Sequence, residues 1–228
     1  MDINNLPIYD TPYGKFVLEP MDGVCKHIAA NKFWDFWILE HLDSLTKDSV
    51  CYDLGSHVGQ ITIYMAQRCK HVHSFEPQSI NYERLVKNVE LNELKNVTCY
   101  NVALYSKETK MAVDNIPDQK NVKYGWERYE ACSLTLYENG QGDIQAKTLD
   151  SFNFDKVDFI KADIQNCEYD MLIGGLETIK KHRPAIIFEY SPPDGVHNHH
   201  LREYQEFFKN LNYNVKEIAG QNYLATPK

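Results

Sequence analysis

From residue 49 onward, short apolar runs alternate with amphipathic segments, and this alternation limits the possible folds more than any other feature of the sequence. The segments between the runs carry apolar residues at helical spacing, as Val58, Ile61 and Met65 do. Strands that alternate with helices build βαβ units and a largely parallel sheet. The sequence therefore predicts an α/β fold with a doubly wound, mostly parallel sheet in a three-layer α/β/α arrangement. The predicted strands of this sheet are 49–54, 71–76, 97–104, 157–163 and 185–191.

Local signals predict the elements around this sheet. Ser79 is placed to cap the helix that follows it, and one helix after residue 167 carries Met171 and Ile179 on one face. The segment HLREYQEFFKNLN has helical spacing as well. The last two apolar runs, YNVKEIA and NYLAT, predict a C-terminal antiparallel hairpin.

The domain organisation expected from these patterns is simple. Residues 1–48 form an N-terminal strand/helix extension packed on the core, with a strand near YGKFVLE and a helix over 28–45. Residues 49–228 form one domain. Within it, residues 105–148 break the alternation and predict a β-rich insertion with short strands in MAVDNI, CSLTLYE and DIQAKTL. The insertion carries four clustered aromatic residues that either pack on the sheet or form a wall of a substrate pocket: Tyr124, Trp126, Tyr129 and Tyr137.

Composition excludes some classes of function. The 228 residues include 32 Asp and Glu against 24 Lys and Arg, a net charge of −8 that disfavours a nucleic-acid-binding protein. The N-terminus lacks the pattern of a signal peptide, and no stretch is apolar enough to cross a membrane. The six cysteines contain no C-x-x-C pair, so neither a zinc site nor a disulfide framework is indicated. A reduced, cytoplasmic protein with no membrane partner is expected; its oligomeric state is left open.

The turn YDLGSHVGQ, residues 52–60, follows the first strand of the alternating region, where open α/β sheets bind ligands. A dinucleotide fingerprint would need glycines at positions 55, 57 and 60, but two of these positions hold His57 and Gln60. NAD and FAD are therefore disfavoured. The acid-x-Gly-x-x-x-Gly pattern of Asp53, Gly55 and Gly59 suits S-adenosyl-L-methionine, which has no phosphate to accommodate and carries cationic groups that a nearby carboxylate attracts.

A second acid is expected at the end of the next strand, where it would accept hydrogen bonds from both ribose hydroxyls. Glu76 in HSFEP occupies that position. The glycine pair alone is a weak signal for a nucleoside cofactor. Together with the two acids and their placement after strands, it becomes a strong one.

These motifs resemble those of the FkbM-type methyltransferases, a branch of the class I S-adenosylmethionine-dependent enzymes. The resemblance spans about residues 49–190 and comprises YDLGSHVG, FEP, ERLVKNVELNEL, NVAL, KTLDSF, DFIKADIQNCEYDMLIGG and PAIIFE. It implies a Rossmann-like class I methyltransferase sheet and an adenine near NVAL. The chain departs from the usual family pattern at Ser56 and His57, and at Asn166, where glycine is usual. The predicted cofactor-binding residues are Asp53, Gly55, Ser56, His57, Gly59, Glu76, Pro77 and Ala103.

Methyl transfer to an alcohol benefits from a base that removes the hydroxyl proton. Asp163 and Glu189 each end a predicted strand and are the candidate catalytic residues, although Asp163 could instead be an N-cap or loop-ordering carboxylate. Glu168 is a third candidate, for which an interaction with the helix N-terminus is the favoured interpretation. His57 is expected either to contact the methionine end of the cofactor or to cap the next helix.

Two further motifs are weaker. The run HNHH, residues 197–200, raises a metal hypothesis with Asp163 and Glu189 as oxygen ligands, but it lacks fixed ligand spacing, so solvated histidines are favoured and no metal is predicted. The tetrapeptide SPPD, residues 191–194, is interpreted as a turn that ends a strand.

The sequence as a whole predicts an S-adenosyl-L-methionine-dependent methyltransferase that acts on a hydroxyl oxygen of a small molecule or glycan. Two alternatives stay open: a nucleic-acid or protein methyltransferase, and a catalytically silent cofactor-binding module.

Overall fold

The structure is a computed structural model, and it describes residues 3–113, 136–138, 142–192 and 199–228. The strands are β1 (Ile8–Thr11), β2 (Gly14–Val17), β3 (Val50–Leu54), β4 (His71–Phe75), β5 (Val97–Tyr100), β6 (Ala103–Leu104), β7 (Thr109–Val113), β8 (Leu136–Glu138), β9 (Ile144–Lys147), β10 (Phe159–Ala162), β11 (Ala185–Glu189), β12 (Tyr213–Ala219) and β13 (Asn222–Pro227). The helices are α1 (Gly23–Ala29), α2 (Leu39–Leu42), α3 (Gln60–Ala66), α4 (Ser79–Leu91), α5 (Glu168–Gly174), α6 (Leu176–His182) and α7 (Leu201–Asn210). Within these ranges, no helix combines the length and the apolar character needed to span a membrane.

A seven-stranded sheet in the order β12-β13-β11-β10-β3-β4-β5 forms the centre of the fold. The strands from β11 to β5 are parallel to one another, and β13 lies antiparallel between β11 and β12. Strand β3 is buried at all five positions, as its continuous apolar run predicts for a strand covered on both faces. The predicted α/β fold and C-terminal antiparallel hairpin are confirmed.

The order of the strands reverses beside β3, which pairs with β4 on one side and with β10, much later in the chain, on the other. In open α/β sheets this switch point leaves a crevice at the carboxyl ends of the strands. The turn after β3, the residue after β4 and the loop after β10 therefore meet at one edge of the sheet.

The insertion contributes three strands to a separate four-stranded sheet in the order β6-β9-β7-β8, and β6, just before the insertion, is the fourth. The short strands predicted in this region are present, but the single strand predicted over 97–104 is wrong. Residues 97–100 pair with β4 in the central sheet, whereas residues 103–104 pair with β9. Of the four insertion aromatics, Tyr124, Trp126 and Tyr129 lie outside the described residues, and Tyr137 lies in β8 but its side chain is not described.

Three helix predictions also differ from the structure. The helix predicted over 28–45 is absent as one unit, because Asn31 and Asp35 adopt left-handed φ angles of 61° and 53° between α1 and α2. The helix predicted after residue 167 is divided at Gly175 into α5 and α6. Ser79 is the first residue of α4, while Gln78 holds the N-cap position.

Asp150 stabilises the start of α6 from outside the helix. Its carboxylate oxygens accept hydrogen bonds from the backbone N–H groups of Glu177, at 3.1 Å, and Thr178, at 2.8 Å. Two N–H groups at a helix start would otherwise lack a protein partner.

We expect Asp150→Ala to lower the free energy of unfolding by about 1 kcal/mol, the usual effect of losing a helix cap. Urea unfolding followed by circular dichroism measures this change. Asp150→Asn keeps an acceptor oxygen and should lose clearly less. Equal losses in the two variants would contradict the capping role.

Candidate functional site

A cavity lies at the carboxyl ends of the central strands and encloses roughly 1000 Å³, including the open solvent at its mouth. The turn after β3, the segment after β4, the loop after β10 and the N-terminal segment all contribute to its walls. Six predicted cofactor-binding residues line it: Gly55, Ser56, His57, Glu76, Pro77 and Ala103.

Gly55 allows the ends of three strands to meet. Its φ of +80° favours glycine, and a Cβ atom there would lie 1.8 Å from the backbone oxygen of Asp163. The N–H groups of Gly55 and Ser56 both donate to the carbonyl oxygen of Phe75, each at 3.0 Å. The bare backbone of this turn is thus fixed against both β4 and β10.

Glu76 is 5% exposed and held from both sides by backbone amides. The N–H of His57 donates to its Oε2 at 2.8 Å, and the N–H of Gln78 donates to its Oε1 at 2.9 Å. Burial raises the pKa of Glu76, against the opposing effects of His57, the two amides and Lys161. The result is an oriented carboxyl group on the cavity wall.

Two predicted cofactor-binding residues lie behind the wall. Asp53 is fully buried, accepts a hydrogen bond from the Thr62 hydroxyl at 2.5 Å and lies 3.6 Å from Lys161 Nζ. Gly59 has a φ of +88° at the start of α3, and a Cβ there would be 2.6 Å from Leu85 Cδ1. In the structure both residues shape the turn from the inside, and their contact with a ligand stays a prediction.

Lys161 is a site residue that the sequence analysis missed. It is 6% exposed, and its Nζ donates to the Gly55 carbonyl oxygen at 3.0 Å and lies 3.8 Å from Asp163 Oδ2. Burial alone would lower its pKa, but the nearby carboxylates of Asp163, Asp53, Asp35 and Glu189 outweigh it and raise the pKa. Lys161 therefore carries a positive charge among several acids.

Asp35, also missed from sequence, lines the cavity from the N-terminal segment. Its Oδ1 accepts a hydrogen bond from Trp37 Nε1 at 3.3 Å. Burial and the negative charge of Asp163 raise its pKa. No local signal identifies this aspartate, because the fold brings it to the site from outside the alternating region.

The candidate bases Asp163 and Glu189 do come together, and Glu168 joins them. One carboxylate oxygen from each residue lies within 4.8 Å of the other two. Burial, with the charge of Asp163 as a further cause, raises the pKa of Glu189. Burial is also the main cause that raises the pKa of Glu168, to about 8. At neutral pH this cluster therefore holds protons as well as negative charge.

The histidine run does not join these acids in the described chain. His199 lies 3.2 Å from Glu203 and 3.7 Å from Asp170, with its ring against Tyr169. His200 is the N-cap residue of α7. His197 lies outside the described residues, as do Pro193 and Asp194 of the SPPD motif.

Comparison with protein families gives one decisive match. The model described as a methyltransferase FkbM domain matches residues 53–215, which is most of the chain. The chain belongs to the FkbM methyltransferase family. The predicted resemblance is therefore confirmed.

Solved structures agree at the level of fold. The FkbM methyltransferase from Methylobacillus flagellatus KT has a TM-score of 0.54 and 16% identity, covering 80% of this chain and 44% of that chain. Trm5b from Pyrococcus abyssi has a TM-score of 0.50 and 14% identity, covering 97% of this chain and 55% of that chain. This chain thus spans less than half of the FkbM structure that it matches. None of the curated proteins compared with the chain matches it.

The structure also explains a departure from the usual FkbM pattern. Asn166, where the family usually has glycine, has a φ of 73°, and Gln165 before it has a φ of 57°. Glycine adopts this left-handed conformation freely, and asparagine is among the residues that tolerate it best. The change to asparagine is therefore compatible with the backbone of the loop after β10.

Proposed function

We propose that this chain is an S-adenosyl-L-methionine-dependent methyltransferase that transfers a methyl group to a hydroxyl oxygen of a small molecule or glycan. The observation that carries the proposal is the oriented carboxyl group of Glu76 on a cavity wall, in a chain of the FkbM family. The scattered cysteines of the sequence, with no C-x-x-C pair among them, support a reducing, cytoplasmic location as part of the same proposal.

The donor set of the cavity fits this cofactor. Glu76 offers acceptor oxygens for ribose hydroxyls, and the lack of a Cβ at Gly55 lets the loop after β10 lie directly against the turn that lines the cavity. Val102 and Ala103 give the apolar surface that an adenine requires. The acids near Lys161 suit a ligand with cationic groups. When bound, this cofactor supplies an electrophilic methyl group on its sulfonium.

The acid pair supplies the base. Asp163 and Glu189 lie at the carboxyl ends of adjacent parallel strands, within reach of one another. An acceptor hydroxyl that loses its proton to this pair becomes the nucleophile, and the proton stays on the pair until solvent takes it. Alignment of the hydroxyl supplies the rest of the rate enhancement. This assignment of roles is part of the proposal.

We expect Asp163→Asn to lower turnover at least about tenfold while leaving cofactor affinity nearly unchanged, because burial raises the pKa of Glu189 and makes it a poor substitute as a proton acceptor at neutral pH. The measurement is single-turnover transfer of a labelled methyl group to any acceptor found by screening sugars and polyols. Asp158→Asn, at an aspartate before β10 that does not line the cavity, is the control. Equal rates in wild type and Asp163→Asn would remove Asp163 from the chemistry.

The experiment that tests the function is calorimetric titration of the purified protein with S-adenosylhomocysteine, with NAD titrated in parallel. We expect saturable binding of the first, with a Kd in the micromolar range, and no binding of NAD. Binding of NAD without S-adenosylhomocysteine would overturn the cofactor assignment.

A further inference from the structure

The side chain of His57, in the turn after β3, contacts the N-terminal segment. Its Nε2 lies 3.2 Å from Oδ2 of Asp22, which is fully buried. The other oxygen of Asp22 accepts the N–H of Cys25 at 2.8 Å and so caps α1. One carboxylate therefore has two separate partners, one in a helix start and one in the turn.

The backbone of His57 has a conformation that needs such support. Its φ is 50°, in the left-handed region that residues with a Cβ adopt uncommonly and that surrounding contacts can stabilise. In this conformation the N–H of His57 donates to Oε2 of Glu76. Asp22, His57 and Glu76 thus form a continuous series of contacts from the N-terminal segment to the cavity wall.

Two buried side-chain amides connect the N-terminal segment to residues that follow His57 in the chain. Asn88 accepts the N–H of Val17 at 2.6 Å and donates to the carbonyl oxygen of Val58 at 2.8 Å. Gln60 accepts the N–H of Trp34 at 2.9 Å. The N-terminal segment and the turn are consequently held as one unit, so a change in one is expected to move the other.

The charge of Asp22 also favours its contact with His57. Burial would raise its pKa, but the close contact with His57 and the hydrogen bond from the Cys25 amide outweigh burial and lower it. The carboxylate is therefore ionised at neutral pH, with the imidazole of His57 3.2 Å from it.

We propose that Asp22 is a positioning residue of the cofactor site, which acts through His57 to hold the His57 N–H on Glu76. The proposal rests on the proposed function, because Glu76 matters to binding only if the cavity takes a nucleoside cofactor. It assigns a role in that site to a residue outside the family match at 53–215.

Asp22→Asn tests the charge while keeping the helix cap, since asparagine is an equally good N-cap residue. We expect the Kd for S-adenosylhomocysteine, measured by calorimetry, to rise about tenfold, as expected when a charge-assisted contact is lost. Asp150→Asn is the matched control, because it makes the same substitution at a helix-capping aspartate that does not line the cavity. Its affinity should stay within about twofold of wild type.

Two substitutions at His57 separate the backbone from the side chain. His57→Gly permits the left-handed φ but has no group to meet Asp22, so we expect it to weaken binding about tenfold. His57→Asn tolerates the same φ and places an N–H donor toward Asp22, and we expect it to recover most of the affinity. Affinities equal to wild type in both Asp22→Asn and His57→Gly would overturn the proposal.

Failure of the proposed function gives a different result. A wild-type protein that does not bind S-adenosylhomocysteine would overturn that function. Hydrogen exchange of the His57 amide in the free protein then tests whether Asp22 holds the His57 N–H on Glu76. Faster exchange in Asp22→Asn than in both wild type and Asp150→Asn supports it, and equal exchange rates overturn it.

Discussion

Lys161→Met is expected to lower the free energy of unfolding by about 3–5 kcal/mol, because it removes the cation from buried carboxylates. Asp53 is fully buried, and its carboxylate forms an ion pair with the Lys161 ammonium at 3.6 Å. The methionine would also leave the Gly55 carbonyl oxygen without its 3.0 Å donor. Urea unfolding of the purified variant measures the loss.

A matched control for this substitution exists on the surface. Lys156 pairs with Asp158 at 3.2 Å, but its side chain is 47% exposed. Lys156→Met should cost about 0.5 kcal/mol or less, because solvent screens an exposed pair. The double variant Asp53→Asn with Lys161→Met should recover part of the stability, since the fully buried carboxylate of Asp53 is then no longer left charged. Similar losses in the two single lysine variants would contradict the role given to Lys161.

Loss of the Lys161 cation should also affect the candidate site. Lys161 contacts the turn after β3 through Gly55 and the loop after β10 through Asp163. It therefore links the proposed cofactor half of the cavity to the proposed acid pair. Removal of this cation is therefore expected to disturb both halves of the cavity together.

The central sheet could be predicted because its signals are local. Strands β3, β10 and β11 are mostly apolar and mostly buried, which is the pattern of strands covered on both faces. The helix predicted over 28–45 is absent because the helical spacing of Phe33, Trp37 and Ile38 does not by itself specify a continuous helix. These residues do pack into one core cluster, but the backbone between them is broken at Asp35.

Part of the candidate site could also be predicted from local signals. Glu76 and the turn glycines follow strands directly, so their place could be inferred from the strand pattern alone. Lys161 does carry a sequence signal: it lies inside an apolar strand of a parallel sheet, where a lysine must be paired. Asp22 and Asp35 carry no such signal. Their contacts with His57 and with the acids depend on how the N-terminal segment folds back onto the sheet.

Glu76→Ala is the variant expected to affect cofactor binding most. Loss of two charge-assisted hydrogen bonds to ribose should cost about 3 kcal/mol, which raises the Kd for S-adenosylhomocysteine roughly a hundredfold. The effect on folding should be smaller than that of Lys161→Met, because the two N–H groups released by the alanine face a cavity that admits water. Calorimetric titration of the variant measures the affinity.

Glu76→Gln separates charge from shape at this position. Glutamine keeps one acceptor oxygen for the backbone amides, but it presents an N–H group where the second carboxylate oxygen stood. We therefore expect an intermediate loss, about tenfold, with a thermal midpoint close to that of wild type. If both variants bind as wild type does, Glu76 is not the ribose acceptor, and the nucleoside must be recognised elsewhere in the cavity. If glutamine loses as much as alanine, the ionised form of Glu76 is what the ligand requires, which is the form that His57 and Lys161 favour against the effect of burial.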